Sequence, residues 1–396
     1  MFLLIPSVFL GTFLVVFYAF YFLLMNYLRK QGSNWKSEEL NAKISLIIAT
    51  YNEELTLSTK LKNILEQDFP KKNLELIIID SGSTDTTPDI VRDFVENNPK
   101  LKIVFLEEKE RLGKSHAVNI AYAKASGEIK IISDADALLE KSALTKIVSN
   151  FSDSRVGAAC GRQVLLNADQ NPSTELEKSY RDFYEILRQG ESILDSTPIF
   201  HGELSAYRGN LIELLPENKS ADDSRLANII RRKGYRAVYD SSAVFYEYAP
   251  PSANSRYVQK VRRGQGLIRV FWDFKGCLFR KSYGAYGFII LPAEFFMHLI
   301  FPLLWVVFFG LFFIGLAFHN PLLIFLPSAL LVGFIFLSRT KKDNKVLRRG
   351  RETSSLVVSF LSSQLILLYA LFLWISGRSL HKWQKVEEIR KEWKPN

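Results

Sequence analysis

The chain has 396 residues, an apolar fraction of 48% and a formal net charge of +10, so it is long enough for a buried core and an additional membrane region. Basic residues cluster beside apolar runs and form no separate binding arm, which favours contact with membrane lipid over nucleic acid. Cys160 and Cys277 stand far apart without CxxC or metal-ligand spacing. Isolated, reduced thiols are therefore favoured over a disulfide or a zinc site.

The first predicted element is a membrane-spanning helix. Phe2 to Leu24 contains no charged residue, and about 20 apolar residues are enough to cross the hydrocarbon layer. The run lacks a basic n-region and a clear cleavage site, so a retained anchor is favoured over a signal peptide. Arg29, Lys30 and Lys36 follow it, and the positive-inside rule therefore predicts a cytoplasmic location for the region after the anchor.

From Ile44 onward, short β-rich runs alternate with amphipathic helical stretches, a pattern typical of a parallel sheet flanked by helices. The predicted strands are Ile44 to Ile48, Leu74 to Asp80, Lys102 to Leu106 and Ile129 to Ser133. Each strand ends at a polar cluster, and open α/β sheets bind ligands at the carboxyl ends of their strands. We therefore expect the chemistry at these strand ends.

Two polar clusters follow the first two strands, at Thr50 to Glu53 and at Asp80 to Asp85. Taken singly, the hydroxyl and amide side chains in them are explained by capping of the next helix. An acid at each strand tip, with a glycine that permits close backbone approach, also suits a ligand with a base, a ribose and phosphates.

The third cluster is Ser133-Asp134-Ala135-Asp136, at the end of the fourth strand. Two carboxylates near one point suit Mg²⁺ or Mn²⁺ bridging a diphosphate. Alone, so short a motif is equally compatible with a solvated turn. Lys114 lies upstream, at the start of a predicted helix.

In this order, the three clusters resemble those of the family 2 glycosyltransferases. The resemblance continues through His201 to Arg208, Ala221 to Leu226 and Gln259 to Arg263. These segments are similar to the acceptor-site, catalytic-acid and QxxRW segments of the processive branch, which includes hyaluronan, chitin and cellulose synthases. The resemblance covers about Ser45 to Arg263 together with the flanking spans.

The resemblance implies a GT-A-like α/β fold, in which a parallel or mixed sheet carries a nucleotide-binding half and an acceptor half, with transmembrane helices at both ends. It implies a nucleotide-binding set of Thr50, Tyr51, Glu53, Asp80, Lys114 and Asp134. It implies that Asp134 and Asp136 hold the divalent metal and that Asp223 is the general base. It implies an acceptor and diphosphate set of Gly202, Glu203, Gln259, Arg262 and Arg263.

The chemistry of sugar transfer agrees with these roles. A departing diphosphate needs stabilisation by a metal and cations, and the acceptor hydroxyl needs a base. One base and no second carboxylate as nucleophile predict single displacement with inversion. On its own, the pair Asp222 and Asp223 would be explained as a helix cap and first-turn acids, but the other motifs favour Asp223 as the base and Asp222 as its cap or neighbour. Arg262 and Arg263 also suit a juxtamembrane patch that reaches lipid headgroups.

Two residues depart from the processive pattern. Arg263 stands where tryptophan is usual, and its guanidinium makes a phosphorylated or lipid-linked acceptor more plausible. Glu203 stands where a small or neutral residue is common, and the sequence offers no physical account of it. The helix predicted over Leu176 to Ile193 carries Tyr180 and Tyr184 at helical spacing, which favours core packing over contact with the acceptor.

Further apolar runs at Leu299 to Phe318, Leu322 to Leu337 and Leu356 to Ile375 predict C-terminal spans. Pro292, Glu294 and His298 interrupt the run before the first of them. Basic residues flank the last span on both sides, so the side of the tail stays open. The predicted organisation is an anchor at 1–28, a cytoplasmic GT-A-like domain at 40–255, an interfacial segment at 256–285, a transmembrane region at 286–377 and a basic tail at 378–396.

These observations predict a multi-pass enzyme of the cell membrane that transfers a sugar from a nucleotide-diphosphate donor, UDP by resemblance, to a growing polysaccharide. The alternative is a single transfer to a polyprenyl phosphate or another lipid. A transporter is disfavoured because, apart from Glu294 and terminal histidines, the spans hold almost no ionisable residues. A catalytically dead scaffold is disfavoured because every expected acid is present.

Overall fold

The computed structural model describes residues 2–217, 219–320 and 345–378, together with positions 327, 329 and 332. Apart from those three positions, the predicted span Leu322 to Leu337 lies outside the described residues. The basic residues at 339–342 and the tail after Arg378 also lie outside them.

The helices and strands alternate through the middle of the chain. The helices are α1 (Leu4–Arg29), α2 (Leu57–Leu65), α3 (Thr87–Asn97), α4 (Lys114–Lys124), α5 (Ala143–Ser149), α6 (Pro172–Leu194), α7 (Asp222–Arg232), α8 (Ala253–Asp273), α9 (Tyr286–His319) and α10 (Lys345–Ile375). The strands are β1 (Ile44–Thr50), β2 (Leu74–Asp80), β3 (Lys102–Glu107), β4 (Ile129–Ile132), β5 (Leu138–Leu139), β6 (Val156–Leu165), β7 (Ser205–Arg208) and β8 (Arg236–Glu247).

All of these strands join one mixed sheet, whose order is β3-β2-β1-β4-β7-β6-β8-β5. Strands β1 to β4 pair in parallel, and β7 is antiparallel to both β4 and β6. The register sets Thr50 beside Asp80 and Ile47 beside Ile132. Parallel pairing therefore brings the three polar clusters to one edge of the sheet, and the GT-A-like mixed sheet is confirmed.

The strands are buried on both faces, as their near-continuous apolar sequences require. Successive side chains alternate between two cores. Leu46 and Ile48 pack into the core on one face, whereas Ile47, Ile77 and Ile79 pack into the core on the other. This sheet holds the strand ends, and with them the polar clusters, in fixed positions.

Within the described residues, three helical segments are long and apolar enough to cross a membrane: Leu4–Arg29, Tyr286–His319 and Val357–Ile375. Helix α9 begins earlier than the predicted run at Leu299, because Pro292, Glu294 and His298 lie inside it. π-helical turns at Tyr286–Ile290 and Phe296–Ile300 flank the proline segment, and such turns relax the hydrogen-bond ladder that proline interrupts.

The polar side chains of α9 face the protein interior. Glu294 and His298 are only 1% and 2% exposed, and the Nδ1 atom of His298 lies 3.1 Å from a carboxylate oxygen of Glu294. A helix that crosses a membrane accommodates ionisable residues when they face other protein elements. The residues that interrupt the apolar run in the sequence therefore lie within one continuous helix.

Helix α6 joins the sheet region to the membrane helices. The Tyr21 hydroxyl of α1 donates to the Glu191 carboxylate at 2.7 Å, and the Phe22 and Phe183 rings stack with centroids 5.0 Å apart. A Cβ at Gly190 would lie 2.4 Å from the Met25 carbonyl oxygen. Glycine is therefore required where α1 and α6 touch.

Candidate active site

A cavity of about 450 Å³ opens at the carboxyl edge of the parallel strands and extends to the membrane helices. It is lined by most of the residues that the sequence predicts for the site: Thr50, Tyr51, Glu53, Lys114, Asp134, Asp136, Gly202, Glu203, Asp223, Arg262 and Arg263. Asp80 and Gln259 do not line it. We call the part formed by the strand ends and α4 the donor end, and the part formed by α6, α8, α9 and α10 the membrane-proximal arm.

Asp80 lies beneath the donor end, and its side chain is 2% exposed. Its carboxylate accepts hydrogen bonds from the Thr50 hydroxyl at 3.1 Å and from the Ser83 amide at 2.8 Å. Asn52 has a left-handed φ of 51°, and its Oδ1 atom accepts a hydrogen bond from the Thr84 amide at 2.7 Å. Neither α2 nor α3 has a side-chain cap, so these side chains do not cap the next helix as expected for single residues. They instead tie the β1 and β2 loops together and support the cavity wall.

Tyr51 and Arg111 form a flat surface at the donor end. The guanidinium carbon of Arg111 lies 4.1 Å from the centroid of the Tyr51 ring, a cation–π distance, and both residues line the cavity. Arg111 was not identified from the sequence, because it lies in a loop without regular spacing. A planar surface of this kind suits a nucleobase.

Asp134 and Asp136 follow β4 and line the cavity opposite Lys114. The Lys114 ammonium lies 2.6 Å from an Asp134 oxygen. Burial raises the pKa of Asp134 to about 6 even though Lys114 opposes this shift. Burial alone would lower the pKa of Lys114, but the carboxylates of Asp134 and Asp222 raise it above its ordinary value. Lys114 is therefore a permanent cation at this end.

The carboxylate pair fits a divalent cation that also binds a ligand. Among the described residues, no group of three or more His, Cys, Asp or Glu side chains could hold a metal ion alone. Two hard carboxylates are a typical protein contribution to a Mg²⁺ or Mn²⁺ site in which substrate phosphates complete the coordination. Asp134 and Asp136 would hold such an ion.

Lys60 supports the turn that carries these two aspartates. Its side chain is fully buried, and its Nζ donates to the Ser133 hydroxyl and to the Ala137 carbonyl, both at 2.6 Å. Burial lowers its pKa to about 7. The sequence held a signal for this residue, a lysine among Leu57, Leu61 and Ile64 on the apolar face of α2, which the sequence analysis missed.

Asp223 lies in the first turn of α7, where the donor end meets the membrane-proximal arm. Burial and the neighbouring Asp222 raise its pKa to about 7, and its Oδ1 accepts from the Ser224 amide at 2.7 Å. The cap residue is Ala221, with a left-handed φ of 61°, and no side chain caps the helix. Of the two roles predicted for Asp222, the cap is therefore wrong, because the chain enters the helix through Ala221, whereas the role of a neighbour agrees with its effect on the pKa of Asp223.

Gly202 lies between the donor end and Asp223. A Cβ at this position would lie 3.5 Å from both the Asp223 Oδ2 and the Lys114 Nζ. A glycine therefore keeps space open where the base, the lysine and the cavity meet.

Glu203 and Arg263, the two departures from the processive pattern, contact each other. An Arg263 Nη2 donates to the Glu203 Oε1 at 2.7 Å. Burial would raise the pKa of Glu203, but Arg263 holds it below its ordinary value. The ion pair supplies the physical account that the sequence lacked for Glu203.

Arg262 differs from its neighbour because it has no hydrogen bond or ion pair with the part of the chain that the structure describes. It lines the cavity, and burial together with Arg263 lowers its pKa to about 10. It therefore remains a cation that can bind an anionic ligand.

The membrane-proximal arm contains residues that the sequence analysis assigned to the core. Tyr180 and Tyr184 line the cavity, whereas Phe183 stacks on Phe22 of α1. Lys260 lines it as well, whereas Gln259, one residue earlier on α8, does not. From the membrane helices, the arm is lined by His298, Ser363, Ile366 and Leu367.

Comparison with known proteins gives two family matches. Glycosyl transferase family 2 matches residues 45–215, and Glycosyl transferase family group 2 matches residues 131–338. The second match spans more than half of the chain.

Two curated relatives match more than half of the chain. The Probable glycosyltransferase YdaM of Bacillus subtilis (strain 168) is 27% identical over 247 residues, which are 60% of this chain and 58% of that protein. The Poly-beta-1,6-N-acetyl-D-glucosamine synthase of Staphylococcus aureus (strain COL) is 24% identical over 282 residues, which are 69% of this chain and 67% of that protein. The chain thus spans between one half and about two thirds of the lengths of these relatives.

A solved structure matches over nearly the whole chain. The mannosyltransferase PcManGT from Pyrobaculum calidifontis, in complex with GDP-Man and Mn²⁺, has a TM-score of 0.72 and 30% sequence identity. The match covers 93% of this chain and 99% of that chain. The shared architecture therefore extends beyond the sheet region.

Proposed function

The chain belongs to the family 2 glycosyltransferases, and from this premise we propose that it transfers sugar with inversion from a nucleotide-diphosphate donor to a hydroxyl group held beside Asp223. The observation that carries the proposal is the position of Asp223. It lies at the junction between a donor end built from strand termini and an arm that reaches the membrane helices. Its pKa of about 7 suits a general base at neutral pH.

At the donor end, we assign the nucleobase to the surface of Tyr51 and Arg111, with Thr50, Glu53 and Asp80 shaping the pocket around base and ribose. Lys114 and Arg262 neutralise the diphosphate. A divalent cation held by Asp134 and Asp136, when bound, would screen the charge of the leaving group. The proposed nucleotide is UDP, and GDP is the second nucleotide to test because the mannosyltransferase from P. calidifontis binds GDP-Man.

In the proposed reaction, the Asp223 carboxylate takes the proton of the acceptor hydroxyl as its oxygen forms a bond to the anomeric carbon. The bond from that carbon to the diphosphate oxygen breaks, and its electron pair leaves with the nucleoside diphosphate. The Glu203 carboxylate is bound to Arg263 and is not free to act as a nucleophile. One displacement inverts the configuration.

For the acceptor, we propose a growing polysaccharide. The polysaccharide synthase of S. aureus is among the relatives, and Tyr184 in the arm offers aromatic surface for a sugar ring. Transfer of one sugar to a lipid is the second candidate. It is favoured by the apolar wall that Ile366 and Leu367 of α10 contribute to the arm.

The test is transfer by the purified full chain in lipid nanodiscs, with labelled UDP-sugars and GDP-sugars and with Mn²⁺ or Mg²⁺. A large, water-soluble product that a glycosidase degrades supports polysaccharide synthesis. A small product that partitions into the organic phase supports the lipid acceptor. Absence of transfer from every donor, in protein that remains folded, contradicts the proposed function.

We also propose that the catalytic region, residues 40–255, faces the cytoplasm of a multi-pass membrane protein. Arg29, Lys30 and Lys36 follow the first span, as the positive-inside rule requires. Both native cysteines are buried, so Lys72→Cys, at an exposed position, provides a single reactive thiol. An impermeant maleimide should label it in inverted vesicles but not in intact cells, and labelling of intact cells would contradict this orientation.

A further inference from the structure

The membrane-proximal arm contains more positive charge than its carboxylates neutralise. The Glu177 carboxylate contacts three cations at once: the Arg181 and Arg256 Nε atoms, both at 2.9 Å, and the Lys260 Nζ atom at 3.1 Å. The side chains of these three cations are at most 9% exposed. Burial lowers the pKa of Lys260 to about 7, so Arg181 and Arg256 are the permanent cations of this cluster, and one carboxylate balances only one of them.

Glu247 adds little negative charge to this cluster. It lies 3.1 Å from Arg181, but burial and the Glu203 carboxylate raise its pKa to about 8. A carboxyl group with that pKa is mostly protonated at neutral pH. The cluster around Glu177 therefore keeps a surplus of positive charge.

Arg188 adds a further cation. In the described part of the chain, no carboxylate lies within 4 Å of it, and its guanidinium contacts only the imidazole of His201. Burial lowers the pKa of His201 well below its ordinary value, so this partner carries no charge. The Arg188 Nε atom is buried without a hydrogen-bond partner, and the residue lines the cavity.

Uncompensated buried charge is costly unless a counter-ion approaches, and the cavity that Arg181, Arg188 and Lys260 line has space for one. We propose that Arg188, together with Arg181 and Lys260, forms an anion subsite that binds a phosphoryl group of the acceptor. This inference rests on the proposed function and concerns its second candidate, in which the acceptor is a lipid. A phosphoryl group carries close to two negative charges and several acceptor oxygens, which match guanidinium donors.

The position of the subsite points to a lipid-linked phosphoryl group. The same arm is lined by Ile366 and Leu367 of α10, a helix that contains a candidate span, so an acyl or prenyl chain could leave the arm toward lipid. Free phosphate offers the same chemistry without the chain. The two sources are separated by comparing one phosphorylated lipid with its alcohol and with inorganic phosphate.

The experiment measures binding of farnesyl phosphate, farnesol and inorganic phosphate to the full chain in nanodiscs, by calorimetric titration. We expect farnesyl phosphate to bind more tightly than farnesol, and Arg188→Gln to weaken that binding about tenfold or more. Arg188→Lys should retain part of the affinity. The matched control is Arg162→Gln, because Arg162 pairs with Glu185, is 43% exposed and does not line the cavity.

Each outcome decides the inference. If inorganic phosphate binds as tightly as farnesyl phosphate and this binding is lost in Arg188→Gln, the result supports the phosphoryl subsite and assigns it to free phosphate. Equal binding of farnesol and farnesyl phosphate overturns the subsite. The subsite is also overturned if Arg188→Gln weakens nucleotide binding in the presence of Mn²⁺ as much as it weakens phosphate binding. The surplus charge would then serve the donor diphosphate.

Failure of the proposed function gives a different result. In that case the unsubstituted chain turns over no labelled nucleotide sugar, whether or not it binds farnesyl phosphate. Normal sugar transfer with no phosphate preference would contradict only the anion subsite.

Discussion

The donor end and the membrane-proximal arm are built in different ways. At the donor end, the functional side chains follow β1, β2 and β4 directly, and parallel pairing places them at one edge. In the arm, the side chains come from four helices and from the turn before β7 that holds Glu203, and they contact each other across 60 to 79 residues of sequence in the pairs Glu203–Arg263 and Glu177–Arg256.

This difference has a chemical consequence. The donor end presents Lys114 and two aspartates, with Arg262 reaching it from α8, to a ligand of fixed chemistry, a nucleotide diphosphate. In the arm, several cations share one carboxylate, as around Glu177, or pair with one, as Arg263 does with Glu203. The selectivity of the arm therefore depends on charge balance. Coupling at the donor end should be local, as between Lys114 and Asp134 at 2.6 Å, whereas in the arm it should extend over residues from several elements.

The largest expected effect is at the junction of the two regions. Asp223→Asn removes the base and preserves size, so transfer should fall about 10²-fold to 10⁴-fold while nucleotide binding is unchanged. The measurement is single-turnover transfer, with nucleotide affinity determined in parallel. The control is Asp89→Asn, at a side chain that is 71% exposed. Full activity in Asp223→Asn would remove this residue from the mechanism.

At the donor end, Asp136→Ala should lower transfer about 10²-fold to 10³-fold, because the charge of the leaving group is then poorly stabilised. Nucleotide affinity should also lose its dependence on Mn²⁺, which titration with and without the ion will measure. Unchanged dependence on Mn²⁺ would show that the metal is held elsewhere.

The contrast between the two regions also explains how much could be predicted from the sequence. A strand followed by an acidic turn is local, so Thr50, Asp80 and Asp134 were found with their approximate strand limits. The parallel pairing of these strands is enough to bring the three residues to one edge of the sheet. The mixed order of the later strands β6 to β8 did not follow from such local patterns.

The arm was harder because helical spacing does not tell which partner a side chain meets. Tyr180 and Tyr184 have the same period as core residues, and only the packing of α6 beside α8 and α10 shows that they line the cavity. Glu203 had no explanation until the fold placed it against Arg263. Lys60 was missed for the related reason that a buried lysine needs tertiary partners to be recognised.

The effect of Lys60 should be confined to the donor end. Lys60→Met retains the length of the side chain but removes the donor to Ser133 and Ala137, so the turn with Asp134 and Asp136 loses its support. We expect affinity for Mn²⁺ in the presence of nucleotide to fall about tenfold, the lower range for residues that hold metal ligands in place. Binding of farnesyl phosphate should not change, and an equal loss of both would indicate general unfolding.

The pH dependence should report the junction. Because the carboxylate form of Asp223 is the base and its pKa is about 7, kcat/KM should rise about tenfold per pH unit below 7 and level off above it. The same raised pKa means that the charged form costs stability, so this group lowers the free energy of unfolding as pH rises from about 4 to 7. Steady-state rates between pH 5 and 9 measure the first effect.

Two controls assign this profile. Glu247→Gln removes a neighbouring group with a pKa of about 8 and should leave the midpoint in place. The residual activity of Asp223→Asn should be flat over the same range. A midpoint that moves in Glu247→Gln would assign the titration to the arm.

The smallest expected effect tests the coupling within the arm. Glu203→Ala leaves a cation without its partner, whereas the double variant Glu203→Ala with Arg263→Ala removes both, so the double variant should lose less than the sum of the single losses. Arg263 is 37% exposed, which screens the pair, and we expect a coupling of about 1 kcal/mol in both thermal unfolding and transfer. The corresponding cycle of Thr50→Val and Arg263→Ala, which joins the two regions, should be additive. If both cycles are additive, the arm does not depend on charge balance, and the distinction between the two regions is wrong.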